Sequence, residues 1–104
     1  MATAVSKSSI VATVRIKVKP MSVAKMGVIA HDLMAASRTE TGCLFYQITQ
    51  SRDDETLFFI YMVWQDEESY RRHATSPYVR AFDHEIAREI LEKRFAVEKW
   101  HPLG

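Results

Sequence analysis

The chain has 104 residues, enough for one domain that buries roughly two-thirds of its unfolded surface without disulfide or metal staples. An apolar share of 47% with 26% charged residues is ordinary for a globular protein and excludes a disordered chain. The formal net charge is +1 and no basic block stands out, so the charge points neither to nucleic acid nor to an anionic membrane.

The single cysteine, Cys43, cannot form an internal disulfide and fits a reducing compartment. The longest strongly apolar run, Leu57 to Trp64, is too short to span a bilayer. The N-terminus lacks the charged start and the longer apolar region of a secretory signal. The expectation is a soluble, cytoplasmic protein.

Residues 1–8 are small and polar and are expected to form a loose tail, with residues 9–104 as a single domain. From Ile10 the pattern alternates, with Ile10, Ala12, Val14, Ile16 and Val18 on one face and Thr13, Arg15, Lys17 and Lys19 on the other. This predicts a half-buried strand that Pro20 closes. Ser22 is a candidate N-cap for a helix over 23–39, whose inner stripe is Val23, Met26, Ile29, Ala30, Leu33 and Ser37. His31 and Asp32 fall away from that stripe, and Gly42 serves the turn that follows.

Cys43 to Gln50 reads as a second strand, and Ser51-Arg52-Asp53-Asp54 has hairpin-loop chemistry. The third strand, Thr56 to Trp64, should therefore pair antiparallel to the second. It is apolar on both faces: Leu57, Phe59, Tyr61 and Val63 against Phe58, Ile60, Met62 and Trp64. An antiparallel sheet usually turns one polar face to water, so two apolar faces ask for two covers. Helices supply one. A second copy of the chain, packed sheet against sheet, is the simplest source of the other.

Asp66 can cap a short helix to about Ala74, with Glu67 and Glu68 suiting its positive end. Ser76-Pro77 then starts another helix with Tyr78, Val79, Phe82 and Ile86 inward and Arg80, His84 and Arg88 outward. A last strand is expected from about Lys93 to Trp100, with Phe95 and Val97 alternating against Arg94 and Glu98. The order is β-α-β-β-α-β with the second helix split, which is the ferredoxin-like α+β plan: a four-stranded antiparallel sheet with helices on one face.

Signals of chemistry are few. The four histidines, His31, His73, His84 and His101, are scattered, which argues against a metal site. No glycine-rich phosphate loop and no serine elbow appears, so nucleotide cofactors of the usual folds are not expected. Cys43 has no charged or histidine neighbour in sequence to activate it and reads as a small buried strand residue. The aromatics of the third strand lack the Arg/Lys-Gly-aromatic signature of RNA-binding modules and read as packing.

His73 alone is a histidine predicted to face inward, sharing a face with Tyr70 and Ala74 while Arg71 and Arg72 point away. A helix C-terminus favours its charged form and apolar surroundings its neutral one, opposed pressures that suit a group passing protons. The same position suits, somewhat better, a histidine that bonds a backbone carbonyl and merely closes the helix.

The segment Ser37 to Tyr46, containing Glu40-Thr41-Gly42-Cys43-Leu44-Phe45-Tyr46, precedes the strand Phe58 to Trp64, then His73, Ser76-Pro77 and Phe82. Together these resemble the antibiotic biosynthesis monooxygenase (ABM) family over about residues 10–102. The resemblance implies a dimeric α+β barrel in which two ferredoxin-like sheets pack face to face. It also implies a pocket between sheet and helices, and quinol or polyphenol oxygenation by O₂ with neither metal nor flavin. It implies that Trp64 walls or stacks on an aromatic substrate and that His73 orients or deprotonates a phenolic hydroxyl, with Met62, Tyr78 and Phe82 lining the pocket. Many relatives carry Glu two residues before the tryptophan, where this chain has Met62, which shifts the base role to His73. The chain contains no Asn, which sets it apart from the haem-degrading branch. Other members isomerise a small sugar phosphate, which here would need Arg38 or Arg72 as a clamp, or have no known reaction; Met62 keeps open the alternative of a non-catalytic, small-molecule-binding dimer.

Overall fold

The computed structural model describes residues 5–94 and 96–103. Strand β1 (Ile10–Val18) leads through a tight turn at Pro20–Ser22 into helix α1 (Val23–Arg38). Strands β2 (Cys43–Gln50) and β3 (Leu57–Trp64) form a hairpin, followed by helix α2 (Glu67–Ala74). Helix α3 (Pro77–Ala81), a π-helical segment (Phe82–Ile86) and helix α4 (Ala87–Ile90) form one interrupted rod. Strands β4 (Leu91–Arg94) and β5 (Glu98–Trp100) complete the chain.

All strand pairings are antiparallel, in the order β2-β3-β1-β4 with β5 also on β1. This is the expected ferredoxin-like α+β arrangement. The inner sheet face (Ala12, Val14, Ile16, Val18, Tyr46, Ile48, Phe58, Ile60, Met62 and Trp64) meets Met26, Ala30, Leu33, Phe82 and Ile90 in one apolar core. Burying such a set at roughly 25 cal/mol per Å² is what holds helices to sheet.

The outer sheet face carries exposed Phe45, Phe59, Tyr61 and Trp100. Phe45 and Tyr61 meet edge to face with ring centroids 5.8 Å apart. The doubly apolar character of the third strand is thus realised in the folded chain: Phe58, Ile60, Met62 and Trp64 are buried, while Phe59 and Tyr61 remain open.

Several local expectations differ from the structure. The last strand is two short pieces rather than one over 93–100, because β4 pairs with the Ile16–Val18 end of β1 and β5 with its Val11–Thr13 end. A register shift between Lys17 and Val18 takes the returning chain out of step with β1. Phe95 of the expected strand, and the side chain of Ile86 on the expected helical stripe, lie outside the described residues. Thr13, expected on the solvent side, is buried because the Trp100 indole Nε1–H donates to its Oγ1 at 3.0 Å. Ser22 precedes α1 but its side chain makes no capping bond, since the turn at Pro20 has buried it. The strand alternation of β2 is offset by a register irregularity between Cys43 and Phe45.

Candidate active site

Two turns set up the site. The first joins α1 to β2: Gly42 adopts φ +89°, a left-handed conformation that glycine takes without strain. A Cβ at Gly42 would stand 2.2 Å from the Ser69 Oγ and 2.6 Å from its Cβ, so the missing side chain also lets α2 approach. The Gln65 N–H donates to the Gly42 carbonyl at 2.7 Å, tying the end of β3 to the same turn.

The second turn starts α2, where the Asp66 carboxylate accepts from the Ser69 N–H at 2.8 Å as a capping residue does. That bond holds the Asp66 carboxyl below the usual carboxylate range. Two turns along this helix sits His73, 3% exposed, with its carbonyl taking the Ser76 hydroxyl at 2.7 Å.

The His73 imidazole is held by neighbours from several elements. Its Nδ1 lies 2.8 Å from Glu40 Oε2, and the Tyr78 hydroxyl donates to that same carboxylate oxygen. Burial, and then the bond to Glu40, push the Tyr78 pKa up, so the phenol keeps its proton and acts as donor. Ser37 Oγ, 3.1 Å from the Tyr78 oxygen, extends the chain onto α1. The Tyr46 hydroxyl is pushed up to about 12, chiefly by burial, and its ring packs edge-on to His73 at 5.5 Å. On another side the Trp64 ring lies 4.5 Å from the imidazole at 31°, a near-stacked pair.

An ionised carboxylate only accepts hydrogen bonds, so a proton on Nδ1 is what this contact with Glu40 can use. Nε2 is hydrogen-bonded to no described residue. The imidazole also borders a cavity of about 150 Å³ lined by Val14, Ile60, Met62, Tyr70, His73 and Phe82, among others. Its walls are mainly aliphatic and aromatic; Tyr46, Tyr70, His73 and Asp83 bring polar groups.

Of the residues singled out in the sequence, Met62, His73 and Phe82 line this cavity. Trp64, 0% exposed, lies behind His73 rather than on the cavity wall, and its indole Nε1–H points to the Met62 sulfur at 3.4 Å. Tyr78 faces Glu40 and lines a separate groove between α1 and α3 with Ile29, Asp32 and Leu33. Sequence reasoning missed Glu40, Ser37 and Tyr46 as partners of the site, although all three stand in the Ser37–Tyr46 segment quoted above.

Neither arginine offered as a phosphate clamp reaches the cavity. Arg38 donates to the Tyr46 carbonyl at 2.7 Å and to Gln47 Oε1 at 3.1 Å, bracing β2 from outside. Arg72 is half-exposed beside Glu68 at 3.4 Å. No described cavity-lining residue is a cation, so the sugar-phosphate reading loses its anchor. Cys43 is partly buried, and burial pushes its thiol pKa up, away from the reactive thiolate. Among the described residues no group of three His, Cys, Asp or Glu side chains is placed to hold a metal ion. Nor is any described helix long and apolar enough to cross a membrane.

The model of the family described as antibiotic biosynthesis monooxygenase matches residues 9–85. An uncharacterised protein of Synechocystis is 27% identical over 73 residues, which is 70% of this chain and 50% of that protein. The chain therefore spans about half the length of the curated relative it matches. A solved structure from Shewanella oneidensis superposes with a TM-score of 0.87 at 20% identity, over 95% of each chain. One from Pseudomonas aeruginosa gives 0.84 at 24% identity, over 98% of this chain and 100% of that one. At such identities these likenesses show the fold.

Proposed function

The chain belongs to the antibiotic biosynthesis monooxygenase family, and from that premise we propose that it oxygenates a single-ring quinol or similar hydroxylated aromatic with O₂, as a homodimer. The observation that carries this reading is the unpartnered Nε2 of His73 beside a largely apolar cavity. Such a site takes an aromatic ring by burial and one hydroxyl by proton acceptance. A cavity near 150 Å³ is the size that admits benzene in other proteins, so one aromatic ring suits it.

In this reading the substrate is its own reductant. His73 takes the phenolic proton at Nε2, the phenolate gives electrons to O₂, and one oxygen atom enters the ring. A hydroquinone and O₂ then yield a hydroxyquinone and water, which balances atoms and electrons. Met62 and Phe82 would hold the ring, and Trp64 would support the imidazole from behind. The second copy would cover Phe45, Phe59 and Tyr61 on the outer sheet face, where an apolar patch is otherwise a liability.

The test is O₂ uptake with a panel of monocyclic hydroquinones and no added metal or flavin, with product analysis under ¹⁸O₂. One labelled oxygen per hydroxyquinone, and a fall of roughly 10² to 10⁴ in rate for His73→Ala, is the expected result. No uptake above that of unfolded protein, or a His73→Ala rate equal to wild type, overturns the reading.

A further inference from the structure

The carboxylate beside His73 comes from the turn after α1, and Glu40 does not line the cavity. It therefore acts on any ligand only through the imidazole. Neutral imidazole in water favours the proton on Nε2, and a His73 in that form would offer the cavity a donor. A base needs the opposite form, with Nδ1 protonated and Nε2 bare.

Three features favour that form here. Glu40 Oε2 accepts from Nδ1 at 2.8 Å and has no proton to give back. Tyr78 donates to the same oxygen, and Ser37 bonds Tyr78 in turn, so the carboxylate is fixed rather than free to rotate. The break at Ser76–Pro77 makes this possible. In one continuous helix residues 73 and 78 would point roughly 140° apart. With the chain restarted at Pro77, the Tyr78 oxygen comes within 3.3 Å of the His73 Nδ1.

We propose that Glu40, steadied by Tyr78, is a positioning residue that holds His73 in the Nδ1–H tautomer and presents Nε2 to the cavity as a proton acceptor. The inference rests on the reading of His73 as the base. When the substrate hydroxyl gives its proton to Nε2, the O–H bond breaks, an N–H bond forms, and the imidazolium charge appears against the Glu40 carboxylate. Nδ1 keeps its own proton throughout, and Nε2 returns its proton to the oxygen that leaves as water.

Nitrogen-15 NMR of the His73 imidazole tests the positioning without any turnover. The wild-type protein at neutral to mildly alkaline pH is expected to show a protonated Nδ1 and a bare Nε2. Glu40→Gln is expected to bring up the Nε2–H form, because a carboxamide can donate to Nδ1 as well as accept from it. Tyr78→Phe, which keeps the Glu40 bond but removes its brace, is expected to leave Nδ1–H the major form at a smaller share than in wild type. In the quinol assay Glu40→Gln should lower kcat by up to the roughly 10²- to 10⁴-fold that a positioned base contributes, with KM within about threefold. Should Glu40→Gln fail to fold, Glu40→Asp, which keeps the acceptor-only charge, is expected to retain the Nδ1–H form. A wild-type spectrum with the proton on Nε2, or a Glu40→Gln spectrum identical to wild type, overturns the proposal. If no quinol turns over while the spectra behave as described, the reaction is wrong and the dyad stands.

Discussion

Glu40 and His73 are 33 positions apart in sequence and meet with 2.8 Å between Oε2 and Nδ1. One lies in a turn and the other inside a helix, so the pair exists only if that turn and that helix pack closely. Gly42 permits the packing, by its left-handed φ and by leaving room for Ser69.

Gly42→Ala should accordingly damage both stability and site. The left-handed conformation and the clash with Ser69 together are expected to cost roughly 2–4 kcal/mol. Denaturant unfolding would register this as a lower midpoint with an unchanged slope. A loss under about 0.5 kcal/mol would mean that α2 can move aside freely.

Phe82 separates two spaces, since it and Leu33 line both the cavity at His73 and the groove between α1 and α3. Phe82→Ala is expected to join them and to cost about 3–5 kcal/mol, because the ring is buried. The variant should also bind 2-naphthol more tightly relative to phenol than wild type does, as read by calorimetry. Unchanged selectivity would show that the two spaces stay apart.

The outer sheet face makes a prediction about association. Tyr61 packs on Phe45 in the middle of the exposed apolar patch, and a charge there would be stranded in a dry sheet-to-sheet interface. Wild type should sediment at twice the mass of one chain and Tyr61→Glu at the single-chain mass. A monomeric wild type at tens of micromolar would remove the homodimer from the proposal.

At the hairpin between β2 and β3, Lys17 Nζ lies 2.8 Å from Asp54 Oδ2, and Thr56 donates to the other carboxylate oxygen at 2.6 Å. The Lys17 bond comes first among the causes that lower the Asp54 pKa from 3.8 to about 2, ahead of the bonds from Thr56. A carboxyl depressed on folding stabilises the fold above its unfolded pKa, and that contribution fades as pH falls from about 4 to about 2. Over that window Asp54→Asn should lose less stability than wild type, measured by urea midpoints. Parallel curves would place the acid sensitivity elsewhere. The matching rise in the Lys17 pKa has the opposite sense: its share is present below 10.5 and is lost as pH climbs above it.

The architecture was legible in the order of residues, because the fold follows from patterns that each element carries within itself. The alternation of Ala12, Val14, Ile16 and Val18, the stripe of Met26, Ala30 and Leu33, and the break at Ser76-Pro77 each specify a buried face or an end. The two apolar faces of β3 were legible for the same reason, as was His73 on the inner side of its helix.

Which side chains meet depends on how the elements pack. Glu40 stands among Thr39, Thr41 and Gly42, where a carboxylate reads as a solvated turn residue, and no local period ties it to a histidine on another element. Trp64 and Tyr78 were recognisable as inward-facing. Only packing decided that Trp64 backs the imidazole and that Tyr78 turns to Glu40 instead of the cavity. The split of the last strand depends likewise on its register against β1. Periodicity records how a residue sits on its own element; pairings between elements depend on long-range packing that leaves no mark at any one position.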